Sequence, residues 1–237
     1  MTGHKLRSDV RGPLVVAGTI GALAIVSLWI DTTPYDAVFG SVDPAIAAAG
    51  LIALGTVALV LLDRSGLFRF NRSARRTRGL AAAAALAALF AALVVAVDVV
   101  VGFPRAYNVP LPFPASLLFF TVIGYVAEMA FHALPLVAVV LLTTCRGRSE
   151  PRESTLRLTM LGVACLEPMF QARLGVPGTD TGIAWIEIFV VMHVFAINLV
   201  QLGLYRQFDF LTAYAFRLTY YVLWHIAWGD LRQILLF

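Results

Sequence analysis

The sequence predicts an all-α fold, a polytopic bundle of about seven transmembrane helices, and three observations carry that prediction. Apolar residues fill 60% of the 237 positions at a mean hydropathy of +0.84, a chain more apolar than a soluble domain and longer than a single anchor. Runs of ~20 apolar residues, the length that crosses a bilayer, recur along the whole chain. The loops between them alternate between arginine-rich and arginine-poor, so the net charge of +4 is a topology signal and points to no nucleic-acid partner.

The runs fall near 14–30, 44–62, 80–101, 116–143, 156–174, 183–204 and 209–229. The opening MTGHKLRSDVRG precedes no small-residue cleavage site, so the first run reads as an uncleaved span. The first three runs are Ala, Leu and Val with little polar content; Asp98, near the outer end of the third, reads as an interfacial carboxylate. Loop 63–79 carries Arg64, Arg69, Arg72, Arg75, Arg76 and Arg78, and loop 144–157 carries Arg146, Arg148, Arg152 and Arg157. The positive-inside rule puts both loops and the N-terminus in the cytoplasm of a multi-pass cell-membrane protein. Asp31, Asp36 and Asp43, then Arg105 among prolines, then Asp180 mark the opposite side. The stretch GFPRAYNVPLPFPAS at 102–115 divides the chain into a three-span scaffold, 1–104, and a four-span part, 105–237, that holds most of the polar residues. The two cysteines, Cys145 in a basic loop and Cys165 in an apolar run, offer neither a disulfide framework nor a thiolate metal site. Cys165 reads as a small buried apolar residue.

The fourth run holds Glu128 and His132, spaced i, i+4 so that the side chains can meet on one helix face. In hydrocarbon such groups cost several kcal/mol unless partnered. Pro135 denies a hydrogen bond to the carbonyl of Phe131 and predicts a kink beside the pair. The fifth run holds Glu167 and Gln171, and Pro168 between them frees a backbone carbonyl, which favours a wet environment. The sixth holds Glu187, an interfacial carboxylate beside Trp185, then His193 and Asn198; the seventh sets Arg217, Tyr221 and His225 on one stripe. An arginine near mid-membrane requires a carboxylate, and Glu128 and Glu167 are the two at comparable depth. Counting ~1.5 Å of rise per residue brings Glu128, Glu167 and His193 to one layer, with His225 outward and Asn198 inward. Trp224 and Trp228 read as interfacial belt.

A carboxylate in low dielectric can take a proton from water while a nearby imidazole donates one or polarises a carbonyl, a water-activating site that needs no metal and no cofactor. The same groups can relay protons in a transporter, bind Zn²⁺ through two His and one Glu, or hold helices in register as buried pairs. A retinal protein is excluded, because its Schiff base needs an intramembrane lysine and Lys5 is the one lysine present.

These residues resemble the CAAX protease and bacteriocin-processing (CPBP or Abi) intramembrane glutamate proteases, whose motifs are EExxxR, FxxxH and HxxxN on successive membrane helices. Phe189 to His193, FVVMH, fits FxxxH, and His225 to Gly229, HIAWG, fits HxxxN except for Gly229 in place of asparagine. The first motif has two counterparts, AEMAFH at 127–132 and LEPMFQ at 166–171, each with the second glutamate and the phenylalanine but without the first glutamate and the arginine. The resemblance covers about residues 116–230 and implies a helical protease fold, a glutamate and histidine site, and membrane-embedded or lipid-modified protein substrates. On the depth count, Glu167 and His193 form the water-activating pair, His225 donates to the oxyanion and Glu128 is the substitute base; His132, Gln171, Asn198, Arg217 and Tyr221 support them. The alternative is a proton-coupled transporter or a non-catalytic structural membrane protein that uses the same groups.

Overall fold

In the computed structural model, residues 10–72, 76–103, 111–145, 152–173 and 184–236 are described; Arg75, Arg105, Arg146, Arg148, Asp180 and loop 176–182 fall outside them. Helix α1 spans Arg11–Ile30, and the short α2, Thr33–Phe39, starts on Pro34, whose fixed φ suits a first turn. Helix α3, Pro44–Ser65, begins where the Asp43 carboxylate accepts from the amides of Ala45 at 2.8 Å and Ile46 at 3.1 Å. It ends at Gly66, whose φ of 75° is the left-handed cap that a side chain would strain. Helix α4 is Arg76–Val101. Next comes one continuous rod, α5 (Ala115–Ala127), a π segment (Glu128–Ala133) and α6 (Leu134–Cys145). Where a kink was expected at Pro135, the helix instead widens by one π turn, and the amide of Leu134 reaches back to the carbonyl of Met129.

Helices α7 (Glu153–Ala164) and α8 (Leu166–Arg173) are two halves of one rod, broken at the half-buried Cys165. Helix α9 covers Ala184–Gln207. The last rod joins α10 (Phe210–Tyr221), a second π segment (Val222–Trp228) and α11 (Gly229–Leu235). The described residues thus form seven long rods and one short helix, a polytopic transmembrane helix bundle in which five rods are apolar and long enough to cross a membrane: Arg11–Ile30, Pro44–Ser65, Arg76–Val101, Ala115–Thr143 and Trp185–Gln207. The remaining two are the broken α7–α8 rod and the arginine-bearing α10–α11 rod.

Packing follows small residues. The buried stripe of α4 is Gly79, Ala83, Ala87 and Ala91, one residue per turn, and it lies along α10, the most extensive helix pairing in the bundle. A Cβ on Gly79 would sit 2.8 Å from Thr212 Oγ1, so only glycine permits that approach. Helix α3 packs on the π segment and α6, where a Cβ on Gly55 would collide with Met129. Residues 1–104 and 105–237 therefore share one core, through Leu59, Leu62, Val122, Met129, Leu136 and Leu202. Leu14, Ile25 and Trp29 of α1, Leu89 of α4 and Leu158 of α7 point outward, an apolar exterior suited to hydrocarbon. Arg69 and Arg72 meet the α9–α10 junction, where the carbonyl of Arg69 accepts from the Phe210 amide and the Arg72 amide donates to Asp209. Glu153, which pairs with Arg206 of α9 and Arg157, lies near the same end, so described arginines of both basic loops gather there.

Candidate functional site

Arg217, on α10, is 2% exposed, and each of its five N–H groups has an acceptor. Nε donates to Glu128 Oε1 at 2.6 Å; Nη1 and Nη2 donate in parallel to Glu167 Oε1 and Oε2, each at 2.8 Å. The second hydrogens of Nη1 and Nη2 go to Tyr221 Oη and Gln201 Oε1, both at 3.1 Å. The sequence expectation was one carboxylate partner; the fold supplies both. Glu128 is held further by His132 Nδ1 at 2.7 Å and by the amide of Gln201, and Glu167 by Gln171 Nε2 at 3.5 Å. Guanidinium geometry explains the choice of residue: a bidentate fork meets one carboxylate while Nε turns to the other. Leaving any one of these buried groups unpaired would cost about 1–3 kcal/mol.

Gln201 was not singled out from the sequence. Its signal was available, since an amide three residues beyond Asn198 on the same apolar run is a polar group that needs a partner.

Glu167 owes its position to the break between α7 and α8. Pro168 lacks an amide proton, which frees the carbonyl of Ala164 four residues back, and Asn198 Nδ2 donates to that carbonyl at 3.3 Å. The freed carbonyl is therefore closed by a side chain of α9, against the expectation of a wet surround. Asn198 thereby ties α9 to the helix break three residues before Glu167.

His193 does not join Glu167, which corrects the expected catalytic pair. Its Nε2 meets Tyr220 Oη at 3.2 Å, and its ring lies against Phe189 and Phe90 with centroids 5.4 and 5.5 Å away. Helix α9 turns this face toward α4 and α10, while Gln201, two turns further on, faces α8 and the arginine. The α9 side chain that meets the cluster lies eight residues, ~12 Å of rise, from His193. The Phe189 and His193 of FxxxH form an i, i+4 ring stack.

His225 lies on the second π segment, stacked on Phe120 at 4.7 Å and edge-on to Tyr221 at 5.2 Å. With Glu167, Gln171 and Tyr221 it lines a cavity of about 520 Å³ whose other walls come from α2, α3 and α5 and are apolar. The cavity brings together two of the four expected catalytic residues, Glu167 and His225; Glu128 lies behind the arginine, and His193 is elsewhere. Two π segments carry Glu128, His132 and His225, and π turns recur at functional sites.

Asp98 and the tryptophans also differ from expectation. Asp98 is fully buried, and accepts from Arg232 Nε at 2.6 Å, Trp228 Nε1 at 2.8 Å and the Phe103 amide at 2.9 Å. Arg232 donates in addition to the Phe103 carbonyl. Trp224 is buried too, edge-on to Phe103, so this is a latch of the last rod onto α4 and not a lipid-facing belt. Glu187 is exposed, as an interfacial carboxylate should be. Among the described residues, no group of three or more His, Cys, Asp or Glu side chains is arranged to hold a metal ion.

No family model matches the chain, and neither a curated protein nor a solved structure matches it. Fold and site together define a class: a polytopic all-α membrane bundle built around a buried Glu–Arg–Glu cluster, with an aromatic-walled cavity beside it.

Proposed function

We propose that the protein is a non-catalytic membrane-embedded binding protein, in which the cavity takes up an amphiphile and the Glu128–Arg217–Glu167 cluster is a fixed polar floor. The carrying observation is the full occupancy of Arg217: every carboxylate oxygen of the cluster already accepts a hydrogen bond, and His193, the partner a water-activating base needs, is bound to Tyr220. A volume of about 520 Å³ lies within the ~300–1,000 Å³ usual for ligand sites. Phe131 and Phe170, rings 5.3 Å apart, line both this cavity and an outer groove formed with Leu166 and Met169, both exposed. That continuity supports entry sideways from the bilayer.

Native mass spectrometry of protein released from lipid nanodiscs tests the reading. Wild type should carry one bound amphiphile, and Ala130→Trp, which fills the cavity, should carry none; identical spectra would refute it. The arginine-bearing end is assigned to the cytoplasm, and labelling of a cysteine introduced near Arg69 by a reagent confined to the outside would reverse that orientation.

A glutamate-type intramembrane hydrolase is the second reading, favoured by the shared placement of Glu167 and His225 on the cavity wall. It requires cleavage of a fluorogenic prenylated peptide in nanodiscs that is lost in both Glu167→Gln and His225→Ala.

A further inference from the structure

We infer that the cavity is selective for a lipophilic cation, an organic ammonium or phosphonium whose charge is carried among apolar groups. This deepens the binding reading above and rests on it.

The first support is the charge held by the cluster. Each oxygen of Glu128 and of Glu167 accepts at least one donor, an arrangement suited to two ionised carboxylates. His132 uses Nδ1 toward Glu128, and its Nε2 is buried without a partner among the described residues. The cluster thus sets two carboxylates against a single guanidinium, with the His132 imidazole on Glu128.

The second support is which groups of that cluster face the cavity. Glu167 lines it, while Arg217, whose five N–H groups are all taken by Glu128, Glu167, Tyr221 and Gln201, does not. Gln171 also lines it, and turns its Nε2 toward Glu167. The floor thus presents acceptors.

The third support is independent of charge counting. Phe39, Phe119, Phe120, Phe131, Phe170 and Tyr221 all line the cavity, and aromatic faces attract cations that shed their water easily. A small, strongly hydrated cation would have to shed its water to reach such walls. An anion would meet both the Glu167 carboxylate and the negative ring faces. A cation with apolar substituents satisfies floor and walls together, and it reaches the cavity through the groove at Phe131 and Phe170 by first dissolving in the bilayer.

Tetraphenylphosphonium and tetraphenylborate, ions of one shape and opposite charge, test the inference. Binding to full-length protein in zwitterionic nanodiscs is measured by equilibrium dialysis, and the specific component is the part abolished by Ala130→Trp, which removes simple partitioning into lipid. The specific component should favour the phosphonium by about tenfold or more, and Glu167→Gln should reduce that preference at least about threefold. Because Glu167→Gln also weakens a helix contact, Phe120→Leu provides a second arm: it leaves the ion cluster intact and should weaken phosphonium binding alone. Equal specific binding of the two ions, or preference for the borate, overturns the cation inference while the binding reading stands. Absence of a specific component for either ion overturns this inference, and the binding reading is then judged by the mass spectra of the wild type and Ala130→Trp.

Discussion

Replacing Arg217 by methionine removes five hydrogen bonds from one buried point and leaves Glu167 with a single donor, Gln171 at 3.5 Å. Glu128 keeps His132 and Gln201, so the loss falls unevenly, mostly on the α8–α10 contact. Breaking a buried ion pair on one side costs about 3–5 kcal/mol, because the abandoned carboxylate must either stay charged in low dielectric or take a proton. At about 2–4 °C per kcal/mol for a chain of this size, Tm should fall by roughly 6–20 °C. Thermal melts followed by fluorescence-detected gel filtration in detergent measure this directly. Lysine has three donors and no fork, so Arg217→Lys should fall between wild type and Arg217→Met. The triple variant Arg217→Met, Glu128→Gln, Glu167→Gln has no buried charge left among these residues and should recover most of the loss. An Arg217→Met protein that melts with wild type, or a triple variant less stable than Arg217→Met alone, would refute the reasoning that the cluster is an obligate charge set.

Three further outcomes are expected. Asp98→Asn removes the charge that accepts from Arg232 and should destabilise the last rod by about 3–5 kcal/mol, read as proteolytic clipping near the C-terminus before the bundle melts. Asn198→Ala should cost about 1–3 kcal/mol by orphaning the Ala164 carbonyl. Pro168→Ala in the same background should restore much of that, since it returns the missing amide, and additive losses in a double-mutant cycle would contradict the account of the helix break. Glu153, at the start of α7, has its carboxyl pulled from 4.5 down to about 2, chiefly by hydrogen bonds from Arg206 and then Arg157. A folded value below the unfolded one means its stabilisation is present above pH 4.5 and is lost as pH falls toward 2, so Glu153→Gln should flatten acid-induced loss of stability in that window; an unchanged acid limb would count against it.

What the sequence determined by itself is whatever depends on the chain one helix at a time. Apolar run length sets the spans at 14–30, 44–62, 80–101, 116–143 and 183–204, because a helix in hydrocarbon must satisfy its own backbone. The need of Arg217 for a carboxylate was legible for the same reason: an unpaired charge at that depth is too costly to keep, and only two acids lay near its level. What only the tertiary structure decided is the direction in which each side chain turns and which carbonyl it closes. His193 faces Tyr220, Gln201 faces Arg217, and Asn198 closes the carbonyl that Pro168 opened. Asp98 and Arg232, 134 residues apart, become one pair only when α11 lies beside the end of α4. Apolar run length is a property of one helix, whereas register and azimuth are set by packing against neighbours such as the Gly79 to Ala91 stripe, and on α9 they bring Gln201, two turns beyond His193, to the arginine.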